Sequence, residues 1–244
     1  MQNIRPWIAA LSVVLVIAAA APAIAPAQTT RSAARPPRAG GNPAFAQVTD
    51  DPALPRVLLI GDSISIGYTL PTRDKLKGKA NVHRPAANCG PSSRGVENLD
   101  KWLGDGTWNV IHFNFGLHDL KYVDAAGKNT SPDKGRYQVS PEQYEKNLEQ
   151  IVERLKQTGA LLIFATTTPV PPGEPQRVHD DAVKYNDIAR RVMKKHDVRI
   201  NDLHAFCLPR LKEIQLPANV HFTKEGSAAL AGEVAKHIEM AFPH

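Results

Sequence analysis

Short aliphatic runs alternate with amphipathic stretches along most of the chain. Val57-Leu58-Leu59-Ile60 is an uninterrupted apolar run that stops at Gly61-Asp62-Ser63. Such a run reads as a strand buried on both faces of a parallel sheet. Ala80 to Arg84 and Asn109 to Phe115 predict a second and a third strand, with a helix between them over Arg94 to Leu103 that presents Val96, Leu99 and Leu103. A longer helix is predicted over Pro141 to Thr158, with Ser140 as N-cap and proline at the first helical position. Its Tyr144, Leu148, Ile151, Val152 and Leu155 recur at helical spacing, and Gly159 ends it. Ala160 to Thr166 predicts a fourth strand, and Asp180 to Lys195 a helix burying Tyr185, Ile188, Ala189 and Val192. Val198 to Ile200 predicts a fifth strand, and Thr223 caps a last helix with Leu230, Val234 and Ile238 inward. Strand-helix alternation of this kind implies a parallel sheet covered on both sides, a three-layer α/β architecture.

In open α/β sheets the working groups sit just beyond the carboxyl ends of the strands. Ser63 occupies such a position, at the mouth of the helix that follows the first strand. Near the other end, His221 lies in Val220-His221-Phe222-Thr223, immediately before the capped last helix. A hydroxyl is a weak nucleophile until a base takes its proton, and imidazole titrates in the range where it can do so. The chain has nine histidines, and His221 is singled out by its placement rather than its type. No Gly-x-Ser-x-Gly elbow is present, which disfavours the α/β-hydrolase arrangement of a serine esterase.

Four blocks in order, from about Arg56 to the C-terminus, resemble the SGNH (GDSL-type) hydrolase superfamily. Gly61-Asp62-Ser63 matches the nucleophile block and Asn88-Cys89-Gly90 the block whose glycine amide helps bind an oxyanion. Gly116-Leu117-His118-Asp119 falls where the family shows Gly-x-Asn-Asp, and His221 matches the histidine of Asp-x-x-His. Two departures stand out: His118 replaces the asparagine, and Ala218 replaces the aspartate three positions before His221. The resemblance implies a five-stranded, mostly parallel, flavodoxin-like sandwich. It also implies a serine esterase that works through an acyl-enzyme, with Ser63 attacking and His221 relaying the proton.

The implied oxyanion donors are the amides of Ser63 and Gly90, with His118 or Asn114 as a third. His118 is preferred to Asn114 because a neutral imidazole has one N–H to give, whereas Asn114 lies inside the third strand. With alanine at 218, Asn219 or a main-chain carbonyl is left to orient His221. Asp202, after the fifth strand, is a more remote acid. Asp62 and Asp119 read as loop-ordering carboxylates and His112 as a core histidine. His179-Asp180-Asp181 reads as a charged helix start rather than a ligand cluster. No metal-ligand spacing or phosphate loop is present, so neither a metal nor another cofactor is expected.

The N-terminus has Arg5, an uncharged apolar stretch from Trp7 to Ala21, and small residues through Ala23, Ala25 and Ala27. That is the pattern of a secretory signal peptide over 1–27, and it predicts an exported protein without a membrane span after cleavage. Residues 28–52 lack periodicity and read as a disordered linker. The remaining 53–244, roughly 190 residues, suit one domain. The formal charge is +6. Setting aside Arg5, Arg31, Arg35, Arg38, Asp50 and Asp51 leaves a modest basic excess spread along the domain, and nothing resembles a nucleic-acid reading module.

Cys89 and Cys207 fall on loops that this fold brings to one end of the sheet, so a disulfide and two free thiols both remain open. The substrate expected first is a short acyl group, acetyl, on carbohydrate. A lipid ester or thioester, an acyl transfer to a sugar hydroxyl, and a carbohydrate-binding relative without activity are the alternatives.

Overall fold

A computed structural model of the chain describes residues 41–242. In chain order the elements are β1 (Arg56–Ile60), α1 (Ser63–Lys75), β2 (Asn81–His83), α2 (Ser92–Leu103) and β3 (Val110–Phe113). A small hairpin follows, β4 (Tyr122–Val123) with β5 (Arg136–Tyr137), and then α3 (Pro141–Lys156), β6 (Leu161–Ala165) and α4 (Asp181–Lys195). The chain closes with β7 (Arg199–Asn201), α5 (Leu203–Cys207), α6 (Leu211–Ile214) and α7 (Lys224–Glu239).

The five-stranded sheet has the order β2-β1-β3-β6-β7 and every pairing in it is parallel. This is the flavodoxin-like, three-layer α/β/α sandwich expected from the sequence. Its strands are aliphatic throughout because both faces are covered: α1 packs on α7, and α2, α3 and α4 pack in series. Val57, Leu58, Leu59 and Ile60 are all buried in one continuous core with Ile111, Phe113, Ile163 and Phe164. Pairing of Ile60 with Phe113 sets the ends of β1 and β3 side by side. The chain runs from β1 to β2 on one side and returns to β3 on the other, so a crevice opens above these two strands.

Several expectations change in detail. In α2, Val96 is exposed and Gly95 faces the core, where an added Cβ would come within 2.7 Å of Phe115 and 2.8 Å of Ile151. The helix approaches closely there because the residue has no side chain. Residues 41–52, assigned by pattern to the linker, are part of the domain. Pro43–Phe45 forms a 3-10 turn capped by Asn42, Ala44 is buried, and Asp50 pairs with Arg56 at 2.7 Å and with His83 at 2.6 Å. The contacts of the domain therefore extend N-terminal to residue 53. The signal-peptide reading and the rest of the linker lie outside the described residues.

Cys89 and Cys207 are both free and buried. Cys89 N donates to Gly61 O at 3.2 Å at the end of β1, whereas Cys207 ends α5, beyond the edge strand β7. Burial pushes the Cys89 thiol up to about 11 and that of Cys207 to about 12, so both stay protonated and unreactive. Among the described residues no helix is long and apolar enough to cross a membrane.

Candidate active site

β1 ends at Ile60, and the chain turns through Gly61 and Asp62 into the first residue of α1, Ser63. Asp62 caps that helix: it is buried, and its carboxylate accepts from Ile64 N at 2.9 Å. A Cβ on Gly61 would lie 2.7 Å from the Cβ of Ser65, so only glycine lets the chain fold back this tightly. The turn delivers the Ser63 hydroxyl to the crevice. At the first helical position the Ser63 N–H has no partner within its own helix.

The other half of the site is the loop between α6 and α7. It is pinned by Leu216 N donating to His221 O at 2.9 Å and by Thr223 N donating to Ile214 O at 2.9 Å. Gln215 Nε2 donates to Pro169 O at 2.9 Å and so ties the loop to the chain beyond β6. Ala218 sits at φ +49, a left-handed conformation uncommon for a residue with a side chain. Thr223 caps α7, and His221 stands two residues before that cap.

These two segments meet. Ser63 Oγ and His221 Nε2 are 2.9 Å apart. On the other side of the ring, Asn219 Oδ1 lies 2.7 Å from Nδ1 and also accepts from His221 N at 3.0 Å. A backbone N–H can only donate, so the Asn219 atom it meets is the carbonyl oxygen, and Nδ1 must be the protonated nitrogen. Nε2 is then bare and positioned to accept the serine proton, the tautomer that general-base catalysis requires. Asp202 is elsewhere. Its carboxylate accepts from Thr166 and from Ala205 N and pairs with Arg190 at 2.9 Å, so it does not reach His221.

Ser63 and His221 open onto a cleft of about 490 Å³ that is also lined by Asn88, His118, Lys121, Asn129, Glu174, Gln176, Arg177 and Asn219. His118 is half-buried, and burial above all holds its pKa below the ordinary histidine range, against the opposing pull of Asp62. A neutral His118 offers one N–H to the cleft. Asn114 does not line this cleft. Its Nδ2 donates to Ala165 O at 2.8 Å, bracing the end of β3 against that of β6, and of the two residues it is His118 that lines the cleft. The Gly90 amide has the left-handed φ of +66 that suits glycine, but it donates to Asn88 Oδ1 at 3.0 Å and is engaged in that turn. Asn88 itself lines the cleft, where its amide nitrogen is a donor not singled out from the sequence.

The remaining acids and histidines hold the frame. Asp119 is fully buried, accepts from Ser92 N at 2.8 Å and from the Ser92 hydroxyl, and is pushed up to about 7 by burial. His112 in β3 accepts from Asn201 at 3.2 Å, and burial lowers it to about 3, which keeps it neutral. His179 contacts Val170 O, and Asp181 accepts from the Tyr137 hydroxyl at 2.8 Å.

Arg84, only 9% exposed, went unnoticed in the sequence. It donates to Gly61 O at 3.3 Å, Ala87 O at 3.0 Å, Ser65 Oγ at 3.1 Å and Thr69 Oγ1 at 2.9 Å. One guanidinium thus ties the Ser63 turn to the loop carrying Asn88 and Gly90. A charged side chain at the end of a predicted strand was the only sign of it.

A profile of the GDSL-like lipase/acylhydrolase family matches residues 59–229, which span both Ser63 and His221. The chain belongs to this family of ester hydrolases. The fold is similar to that of an acetyl xylan esterase, AlAXEase, at 17% identity and a TM-score of 0.60, covering 75% of this chain and 99% of that one. It is also similar to a lipase/acylhydrolase from Enterococcus faecalis, at 16% identity and a TM-score of 0.62, covering 76% and 96%. Axe2, an acetylxylan esterase from Geobacillus stearothermophilus, aligns at 16% identity and a TM-score of 0.62 over 75% and 94%. No curated protein matches the chain.

Proposed function

We propose that this member of the GDSL family is an exported serine esterase that removes short acyl groups, acetyl first, from carbohydrate. The observation that carries the catalytic part is the chain of contacts from Ser63 Oγ through His221 to Asn219 at the wall of an open cleft. Ser63 Oγ attacks the ester carbonyl carbon while His221 Nε2 takes its proton. The tetrahedral oxyanion is met by the Ser63 amide and by His118, with Asn88 beside them; a single such donor is worth about 3 kcal/mol. The carbon–oxygen bond to the alcohol then breaks and the imidazolium returns its proton to the leaving oxygen. Water, activated by the same imidazole, releases the acid from Ser63.

Support for a sugar substrate comes from the cleft wall, where Asn129 and Gln176 carry both a donor and an acceptor suited to hydroxyl groups and Asn88 and Asn219, whose oxygens are engaged, carry amide donors. Two of the similar structures are named as acetyl xylan esterases. Export rests on the charge, apolar run and small residues of 1–27, and N-terminal sequencing of the secreted protein tests it.

One observation favours the lipid-ester alternative. An apolar groove of about 290 Å³, with Pro171, Pro172, Leu211, Leu216 and Pro217 in its walls, meets the cleft at Ala218. Hydrolysis of acetyl and octanoyl p-nitrophenyl esters separates the two. Faster turnover of the octanoate would refute the acetyl preference. Labelling of Ser63 by a fluorophosphonate, lost in His221→Ala, is expected of an enzyme, and an unlabelled but folded protein would leave only a binding role.

A further inference from the structure

The cleft beside Ser63 carries charge that ester chemistry does not need. Arg177 and Glu174 form an ion pair at 2.9 Å with each side chain only 7% exposed. Arg177 Nε donates to Leu117 O at 2.8 Å, which fixes the guanidinium against the segment bearing His118. Both carboxylate oxygens of Glu174 are used, one by Arg177 Nη1 and one by Gln176 N at 2.9 Å. Arg177 Nη2 has no acceptor among the described residues.

Lys121 lines the same cleft, and its ammonium makes no ion pair or hydrogen bond among the described residues. Burial, and then the charge of Arg177, hold Lys121 below the ordinary lysine range, with Glu174 opposing. Asp62 is the other acid whose charge is felt by Arg177, but it is buried as the cap of α1 and does not line the cleft. The cleft wall therefore presents two cations and one carboxylate that is already spent. Holding a partnerless ammonium near a guanidinium in a partly desolvated wall is unfavourable until an anion arrives.

We propose that Lys121 and the free edge of Arg177 form an anion subsite that selects esters whose substrate also carries a carboxylate or sulfate: acylated acidic sugars rather than neutral ones. This rests on the Ser63–His221 esterase reading and specifies its substrate class. Lys121 acts as a point charge and Arg177 Nη2 as a directed donor to the same oxyanion, while the neighbouring carboxamides face the sugar hydroxyls. The subsite binds and orients and takes no part in the bond changes at Ser63.

The test compares kcat/KM for an acetylated neutral glycoside, its uronate counterpart and its sulfated counterpart. At about 0.02 M salt an anionic ester is expected to be favoured about tenfold or more over the neutral one, and the advantage to shrink at about 0.5 M salt. Lys121→Gln is expected to lower the anionic-to-neutral ratio about fivefold, and Lys121→Glu to bring it to one or below. A higher kcat/KM for the uronate assigns the anion as carboxylate, and one for the sulfated ester as sulfate. Equal kcat/KM for neutral and anionic esters, or a ratio unmoved by both Lys121 variants, overturns the subsite while leaving the esterase intact. Failure of the esterase reading has a separate sign, a folded protein that hydrolyses none of the three and is not labelled at Ser63; it would remove the subsite as well.

Discussion

Asn219→Ala is expected to lower kcat on p-nitrophenyl acetate by roughly 10- to 150-fold with the fold intact. Asn219 Oδ1 receives the Nδ1–H of His221 at 2.7 Å, and when the ring takes the serine proton this becomes a bond from a charged donor. Hydrogen bonds to charged groups contribute about 1.5–3 kcal/mol, and each 1.36 kcal/mol of barrier is about tenfold in rate, which gives the stated range. His221 is exposed, so water can replace part of the lost bond, and the lower half of the range is expected. The variant also frees the imidazole to carry its proton on Nε2, where it cannot accept from Ser63.

Asn219→Asp provides the matching test of sign. A carboxylate beside the ring favours the imidazolium and raises its pKa, so the acidic limb of the kcat/KM profile moves to higher pH. That variant is expected to be slower than the parent at about pH 6 and at least as fast at about pH 8. An Asn219→Ala protein with full kcat and an unchanged pH profile would refute the orienting role. If Asp202→Asn then abolished activity, the third member would be the remote acid, despite its engagement by Thr166, Ala205 and Arg190.

Three further outcomes follow from contacts around the site. Arg84→Met leaves the Ala87 carbonyl without its donor and removes the bonds to Ser65, Thr69 and one of the two to Gly61 O, and is expected to cost about 2–4 kcal/mol of stability in urea unfolding; an unchanged midpoint would refute the tie. In Gly226→Ala the new methyl would sit 2.1 Å from Ile214 O, so α7 or the His221 loop must shift; activity should fall together with Tm, and a fully active, equally stable variant would contradict the packing. Asp119 has a folded pKa of about 7, above that of a free aspartate. Above about pH 4 the unfolded chain loses a proton that the folded domain keeps, so this group's contribution declines as pH rises to about 7 and is level beyond. Asp119→Asn should flatten that decline, and an identical stability–pH curve in the variant would count against it.

How much of this was legible in the sequence depended on range. The sheet and its long helices were, because burial on both faces leaves aliphatic runs and burial on one leaves helical spacing. Inside α2 the same rule misplaced Val96: the core-facing position is Gly95, and a hydrophobicity pattern cannot register a residue whose use lies in having no side chain. The β4–β5 hairpin, with strands of two residues each, is too short to show any period. Residues 41–52 looked like linker because their anchors are polar and distant, Asn81 donating to Asp51 O at 2.9 Å and Asp50 pairing with Arg56 and His83.

The site divides along the same line. Ser63 and His221 were legible because each lies next to a recognisable element, a strand end and a helix cap, and Asn219 because it adjoins the histidine. Arg84 and the Lys121–Arg177–Glu174 group were not, since each joins segments from separate strand ends and the sequence holds no trace of those distances. The replacement at 218 shows how the two kinds of information combine. Alanine there, at φ +49, leaves the ring without the family's carboxylate, and the loop instead folds so that a neutral carboxamide receives both the ring N–H and the main-chain N–H of His221. A carboxamide fixes ring orientation and tautomer as an aspartate does, but it adds no negative charge to stabilise the imidazolium. The base is therefore correctly placed, but the charge that forms on it during attack has no carboxylate beside it. Restoring the charge at 219 should shift the pH profile without altering which proton moves.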